Sequence, residues 1–525
     1  MDAFVARSGA RLAATAALLA ALALAAFAGC SGGSGGPPAG NPNQNTGADG
    51  GAEPPDAGGG PDAGLPDAGV PDAGPPPDAG FTFGQPSPWP NENRVYAGAD
   101  GIQEAPVVGV TTDEAQNLWV ATHTGLYLLK PGEKAFKRYS SADGLHLMDN
   151  PQPYRNELLS LACGGGTVSS SGGAVSPGII SLEGGAAGEV FVGYAGVADV
   201  LGVNSDCTDP GEVRHSGKID RVRLAADGTL QVERLDLASV NAGMQYWHNR
   251  TIFKMVYDHG QVWGKPTHHG YLWVGANHGV VMIKTDAIRL PNPGEWPDNA
   301  NREWMGDHVH AQVCFHEACP QGAIGNARMG DWRGLAIASD GDTWHAGKWA
   351  AGKIRWTASP SDFTDVARSG QQIFSIAFGD PYPGNPPVFF PPAEGDPVSL
   401  SAVAVTPDDH VWFGSQARDA GETNYGLATF KDHEGVVLLD PFQLGMAEGA
   451  VQDIAALPDG RVVLAGPSTG LTIYDPATKS HVNIRAGQGI PDDRVLAMEL
   501  DDMVVPPALH VATRGGAAVI TVFPK

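Results

Sequence analysis

A chain of 525 residues with 71 Gly, 42 Pro and only 17% charged residues is rich in turn formers, so many short strands are expected and long helices are excluded beyond the amino terminus. Lys and Arg total 33 against 58 Asp and Glu, a formal charge of −25, which leaves no electrostatic support for nucleic acid or for anionic lipid headgroups as partners. Part of that acidity, from Asp56 to Asp78, falls in one spacer, and the balance serves solubility.

The chain opens with Arg7 and Arg11 ahead of an uncharged stretch from Leu12 to Gly29 dominated by Ala and Leu. This is the charged-then-apolar order of a secretory signal, and it is short for a membrane span. The stretch closes on Phe27-Ala28-Gly29-Cys30, which resembles the bacterial lipobox, with Phe27 where Leu is usual. The resemblance implies a signal peptide over residues 1–29, acylation of Cys30, and attachment to the cell envelope through a lipid, with Ser31 pointing to the outer membrane. Ala26-Phe27-Ala28 offers the rival cut, before Gly29. The Gly/Ser run from Ser31 to Gly36 favours the lipid, because an anchor needs a flexible tether.

From Pro37 to Gly80 there is almost no aliphatic residue, and Pro-Asp-Ala-Gly recurs five times. Such a segment cannot bury a core, so residues 30–80 are expected to be a disordered linker. Its reach is on the order of 100 Å if extended and roughly 40 Å as a coil, enough to hold a domain clear of a membrane.

Residues 81–525 carry a recurring pattern: an apolar strand, an acidic or Gly turn, a strand with an aromatic followed by small residues, then Gly and another apolar strand. It reads Val107–Val110, Leu118-Trp119-Val120-Ala121-Thr122-His123-Thr124-Gly125, Leu126–Leu129 in the first copy. Further copies centre on Val190-Phe191-Val192-Gly193, Leu272-Trp273-Val274-Gly275, Thr343-Trp344-His345-Ala346, Val411-Trp412-Phe413-Gly414, Val462-Val463-Leu464-Ala465 and Leu509-His510-Val511-Ala512. Alternation with period two, broken by turns such as Asp227-Gly228, Asp340-Gly341 and Asp459-Gly460, describes antiparallel hairpins. Seven such units predict an all-β fold, a seven-bladed β-propeller with insertions in the early blades. The small residues after the aromatic let inner strands crowd the axis, and Arg94-Val95-Tyr96-Ala97 is placed to give a strand to the last blade and close the ring.

Trp119 to Leu126, and in part Trp273 to Val280 and His510 to Gly516, resemble the two-component regulator propeller repeat. The resemblance implies the propeller fold and an extracytoplasmic sensory or saccharide-binding role, and it fixes no chemistry. A looser likeness to streptogramin-lyase-type propellers implies a His and metal site on the ring face, onto which no residue of this chain maps.

Eight of the 16 His lie between His248 and His316, and nine of the 12 Trp between Trp247 and Trp356. Both enrichments fall on the third and fourth blades and on an insertion of about 286–330 expected between them. His308 and His310, two apart on a strand, point the same way and with His316 or Glu317 would supply Zn or Cu ligands. No other cofactor is expected. The competing reading pairs Cys314 with Cys319, and Cys163 with Cys207, as disulfides of an oxidising compartment and leaves the histidines structural. Trp119, Trp273, Trp344 and Trp412 share one repeat position and are assigned to the core. Trp304 and Trp332 lie outside that register and, with His268 and His269, are the candidates for contact with a ligand. Asp113, Asp340, Asp342, Asp408 and Asp409 belong to turns, where carboxylates bond their own backbone.

No G-x-S-x-G elbow, phosphate loop or H-E-x-x-H motif occurs. The expectation is an envelope-anchored ligand-binding, sensory or scaffold module that takes a glycan or an envelope protein. The alternatives are a metal-dependent lyase or hydrolase using the same histidines, and a purely structural envelope component.

Overall fold

The computed structural model describes residues 82–147, 178–194, 218–236, 252–276, 280–285, 308–309, 332–347, 350–356, 370–377, 400–417, 426–431 and 435–524. Within them lie seven four-stranded antiparallel sheets. The innermost strands, in chain order, are Val107–Thr112, Ile179–Gly184, Ile252–Asp258, Gly334–Ile337, Leu400–Val405, Asp453–Ala456 and Val495–Asp501. Each packs on the next, and the seventh packs on the first, so the sheets are the blades of a closed seven-bladed β-propeller. Helical structure is confined to short 3-10 turns such as Gly98–Asp100 and Ser141–Asp143 among the described residues.

The seven predicted repeat centres are the second strands of the seven blades. Trp119, Trp273, Trp344 and Trp412 are all buried, as their shared register requires. Trp119, for example, packs with Leu126 and Leu128 against Leu182, Val190 and Val192 of the second blade. Burying a side chain of this kind is worth about 2–3 kcal/mol, and the core lies between blades as a series of such interfaces. Close approach is enforced by small residues: a Cβ on Gly275 would stand 2.4 Å from the carbonyl oxygen of Trp332 in the next blade. The turns are set by carboxylates bonded to backbone. Asp113 accepts from the amides of Ala115 and Asn117 and from Trp119 Nε1, and burial still pushes its pKa up to about 6.

The ring closes with one strand from each end of the fold. Arg94–Tyr96 pairs antiparallel with Gly516–Ile520 as the outermost strand of the seventh blade. Asn93 seals the join, accepting from the amides of Thr521 and Val522 and donating Nδ2–H to the carbonyl of Val522. Between the innermost strands of the first and seventh blades, Thr111 donates to Glu499 (2.6 Å) and Thr112 to Asp501 (2.7 Å).

The third blade corrects the sequence reading. His308–Val309 pairs with Val280–Val281 as its outermost strand, so the expected insertion between blades three and four begins inside the third blade. A blade needs a fourth strand to cover the edge of its third, and a strand of two residues gives no periodic signal.

Candidate functional site

The seven inner strands surround an axial channel, and their alignment follows from register. The small residue of each second strand, Ala121, Gly193, Gly275, Ala346, Gly414, Ala465 and Ala512, stands opposite Gly109, Ser181, Lys254, Gly334, Ala402, Asp453 and Ala497. The residue just before each of the latter set forms the rim at the end where the inner strands begin: Val108, Ile180, Phe253, Arg333, Ser401, Gln452 and Leu496. All seven line one cavity. In five blades a break in register isolates the rim residue, between Val107 and Gly109, Ile179 and Ser181, Ile252 and Lys254, Leu400 and Ala402, and Val495 and Ala497. A bulge re-aims the side chain it carries, and here the repeated bulge turns one side chain per blade to the axis.

The rim is two-sided. Leu496, Val108, Ile180 and Phe253, from blades seven, one, two and three, make a continuous apolar arc. Arg333, Ser401 and Gln452, from blades four, five and six, make a polar one. The Arg333 guanidinium carbon sits 5.6 Å from the centre of the Phe253 ring where the arcs meet. Gln452 Nε2 donates to the carbonyl of Leu496, and Ser401 donates to the carbonyl of Val451.

Below the rim the cavity, about 100 Å³, is lined by charge. Lys254 Nζ lies 3.9 Å from Asp453 Oδ2, and Asp453 also accepts from the amides of Ile454 and Met498. Burial works against the Lys254 ammonium, but Asp453, Glu183 and Glu499 outweigh it and raise its pKa. Deeper still lie the carboxyls of Glu183 and Glu499, Glu499 accepting from Thr111 Oγ1. Burial pushes Glu183 up to about 7 against the Tyr257 amide that donates to it at 2.7 Å. Burial and the neighbouring Glu183 raise Glu499 as well.

The far end of the channel is closed by a strap, residues 259–270, inserted after the inner strand of the third blade. Within it Gln261–Val262 pairs with Lys265–Pro266 around a tight turn in which Trp263 (φ 51°) and Gly264 (φ 76°) both have positive φ. Positive φ at both turn residues suits a two-residue hairpin, and at Trp263 it is strained backbone held by tertiary contacts. Trp263 Nε1 donates to the carbonyl of Val405 in the fifth blade (3.1 Å), and Lys265 Nζ donates to Ser339 Oγ of the fourth (2.9 Å). On the other side His259 Nδ1 (3.2 Å) and His269 Nε2 (2.8 Å) both meet Glu114 Oε1 of the first blade. An element rooted in blade three that reaches blades one, four and five lies across the axis.

The strap is an electrostatic latch. Burial opposes ionisation of Glu114, yet the hydrogen bonds from His259 and His269 hold its pKa below the usual carboxylate range. Burial likewise opposes charge on His259, and Glu114, Glu183 and Asp501 outweigh it to raise its pKa. Asp502 is pushed up to about 6 by burial and by Asp501.

The sequence candidates fall as follows. His269 is part of the latch. His268 lies beside it, its amide donating to Asp258 Oδ2 and its ring edge-on to Tyr271. Trp332 is fully buried and packs edge-on to His345 at 4.5 Å, so its indole has no face for a ligand; its place in the blade interface, one residue ahead of the rim, corrects that expectation. His308 stands on the outermost strand of the third blade, at the periphery of the ring. Trp304, Cys30, Cys163, Cys207, His310, Cys314, His316 and Cys319 lie outside the described residues. The strands that flank the segments holding Cys163, Cys207, His310, Cys314, His316 and Cys319 end and begin at the rim side of the ring. Among the described residues no three His, Cys, Asp or Glu are grouped to hold a metal. Sequence reasoning missed the rim, Lys254, the Glu183–Glu499 pair and Trp263. Gly260 and Gly264 around Trp263 were the available sign of an extra hairpin.

No family model matches the chain, and no curated protein does. Solved structures similar to it include the extracellular domain of a putative hybrid two-component system from B. thetaiotaomicron, at 11% identity and TM-score 0.43, covering 82% of this chain and 42% of that one. A chain of the mitotic checkpoint complex is 13% identical at TM-score 0.43, over 87% of this chain and 98% of its own. A chain of YCF48 bound to D1 peptide is 10% identical at TM-score 0.42, over 84% and 97%. The chain thus spans less than half of the first of these, and its fold is read from its own seven sheets.

Proposed function

We propose that this protein is an exported, lipid-anchored envelope propeller acting as a ligand-binding module, with its ligand seated in the rim end of the axial channel. The observation that carries the reading is the blind channel: a strap spans one end, while a ring of side chains, half apolar and half polar, lines the other. A concave site in which several polar groups converge beside an apolar surface is a form that binding sites take. Export and anchoring are supported by the charged-then-apolar amino terminus, Cys30 and the spacer behind it.

The test is a thermal-shift screen of the full chain against envelope glycans and peptides, repeated with Phe253→Ala and Arg333→Gln. A ligand whose stabilisation disappears in both variants supports the rim as its site. A ligand that stabilises both variants as well as the parent chain would place binding elsewhere. Cys30→Ser should move the protein from the membrane fraction to the soluble one; retention in the membrane would remove the lipid anchor.

A further inference from the structure

The outside of the ring carries a second surface, independent of the channel. Each blade ends in a strand whose far edge pairs with no other strand among the described residues, and the alternate N–H and C=O groups of such an edge are a template for one strand more. Proteins blunt these edges with polar side chains or by keeping the strand short. Six of the seven outermost strands here carry at least one polar or charged residue: Arg94, Lys137, Arg234, His308, Gln371 and His481 are examples, one from each.

The fifth blade is the exception. Its outermost strand, Gly435–Leu439, reads Gly-Val-Val-Leu-Leu and pairs along its whole length with Leu427–Lys431, on one side only. Val437 and Leu438, which alternation places on opposite faces of the sheet, are 50% and 42% exposed, and Phe442, three residues past the strand, is 59% exposed. Apolar side chains and unpaired backbone groups thus lie together on one edge, the form in which a sheet accepts an added strand.

The flanks of the run select its occupant. In sequence it lies between Asp432-His433-Glu434 and Asp440, and the Lys431 ammonium at the end of the third strand is already met by Asp408 at 3.3 Å. A second copy of the chain would pair edge to edge about a two-fold axis, with the strands antiparallel, and would set the acidic flank of each against an acidic flank of the other. A strand with basic ends meets opposite charge at both, and a chain of formal charge −25 favours the same sign of partner.

We propose that the outer edge of the fifth blade takes an extended segment of a partner protein as a fifth strand, an apolar run of about five residues with Lys or Arg at both ends. Main-chain hydrogen bonds hold the segment, its apolar side chains lie beside Val437 and Leu438, and its basic ends answer the acidic flanks.

The experiment is fluorescence anisotropy of the full chain, in about 0.15 M salt, with labelled acetyl-Lys-Lys-Val-Ile-Val-Ile-Val-Lys-Lys-amide. Two control peptides carry Glu in place of every Lys, or N-methyl groups throughout the apolar run, which remove the ladder donors and keep charge and side chains. The basic peptide should bind, and each control should bind at least about ten-fold more weakly. Val437→Lys and Leu438→Lys, at positions already exposed, should leave the melting temperature unchanged and each cost the basic peptide at least about ten-fold. Absence of binding overturns the proposal. So does binding that survives N-methylation or both Lys variants, since the affinity then belongs to net charge alone. A parent chain that sediments as a dimer, with Val437→Lys a monomer, gives the edge to a second copy and overturns it as well. None of these outcomes bears on the channel, whose ligand is tested by the variants at Phe253 and Arg333.

Discussion

His269 Nε2 of the third blade and Glu114 Oε1 of the first stand 2.8 Å apart, with His259 Nδ1 on the same oxygen, so one buried carboxylate fastens the strap across the end of the channel. The two histidines differ in what they lose. His259→Ala should cost about 1–3 kcal/mol, because Glu114 is buried and its desolvation is no longer met. His269, whose side chain is 39% exposed, should cost less than about 1 kcal/mol. Denaturant unfolding of both variants checks this; equal, negligible losses would mean that the latch contributes nothing to the fold.

His259 and other buried titratable groups give a pH dependence. The fold holds protons on Glu183, pushed up to about 7, and on Asp502, pushed up to about 6, which the unfolded chain releases near its ordinary carboxylate values. Their contribution therefore declines as pH rises from about 4 to 7. His259, with a raised pKa, adds stability that is full below about 6.5 and is lost as pH rises through its folded value. His345, pushed down to about 3 by burial, and His510, lowered by burial, act oppositely: their contribution is full above about 6.5 and falls in acid. Above about 6.5 only losses remain, so the melting temperature should drop between about pH 6.5 and 8, and Glu183→Gln should flatten that slope. A slope unchanged by Glu183→Gln would exclude the carboxyl pair as its source.

The seam should be decisive for cooperativity. Tyr96 is buried, with its ring edge-on to Phe136 at 5.4 Å, and Tyr96→Ala should cost about 3–5 kcal/mol. A chain beginning at residue 98 lacks the closing strand altogether and should lose the single sharp calorimetric transition; an unaltered transition would show that the ring does not need it.

Gly275→Ala is a small change with a large expected effect. The new Cβ would meet the Trp332 carbonyl oxygen at 2.4 Å, which is backbone and cannot swing away. A loss of about 1–3 kcal/mol is expected and is read by denaturant unfolding. Gly460→Ala, with open space at its Cβ but φ 87°, is the comparison that isolates strain at a hairpin turn from crowding between blades.

Much of the fold was legible because each blade repeats one local rule. Trp119, Trp273, Trp344 and Trp412 share a register that only interblade packing explains, and the small residues after them mark where inner strands crowd. Even the closing strand at Arg94–Tyr96 could be placed, since a ring of sheets with a free edge needs a partner for it. The site was less legible. The clustering of His and Trp drew attention to the third and fourth blades, where His269 and Trp263 of the strap do lie. Density alone, however, could not separate His269, which holds a carboxylate across the ring, from Trp332, which is core.

What the sequence by itself determined is whatever depends on neighbours along the chain: the order of charge and apolar residues at the amino terminus, the period of two, the turns, the number of blades. Only the tertiary structure decided which residues meet at the axis. Val108 and Leu496 are adjacent there across nearly the whole length of the fold, and Arg333 faces the cavity because repeated bulges and blade starts set one side chain per blade at the rim. Register around a closed ring is fixed by packing between sheets, and that information is distributed over all seven blades rather than written at any one of them.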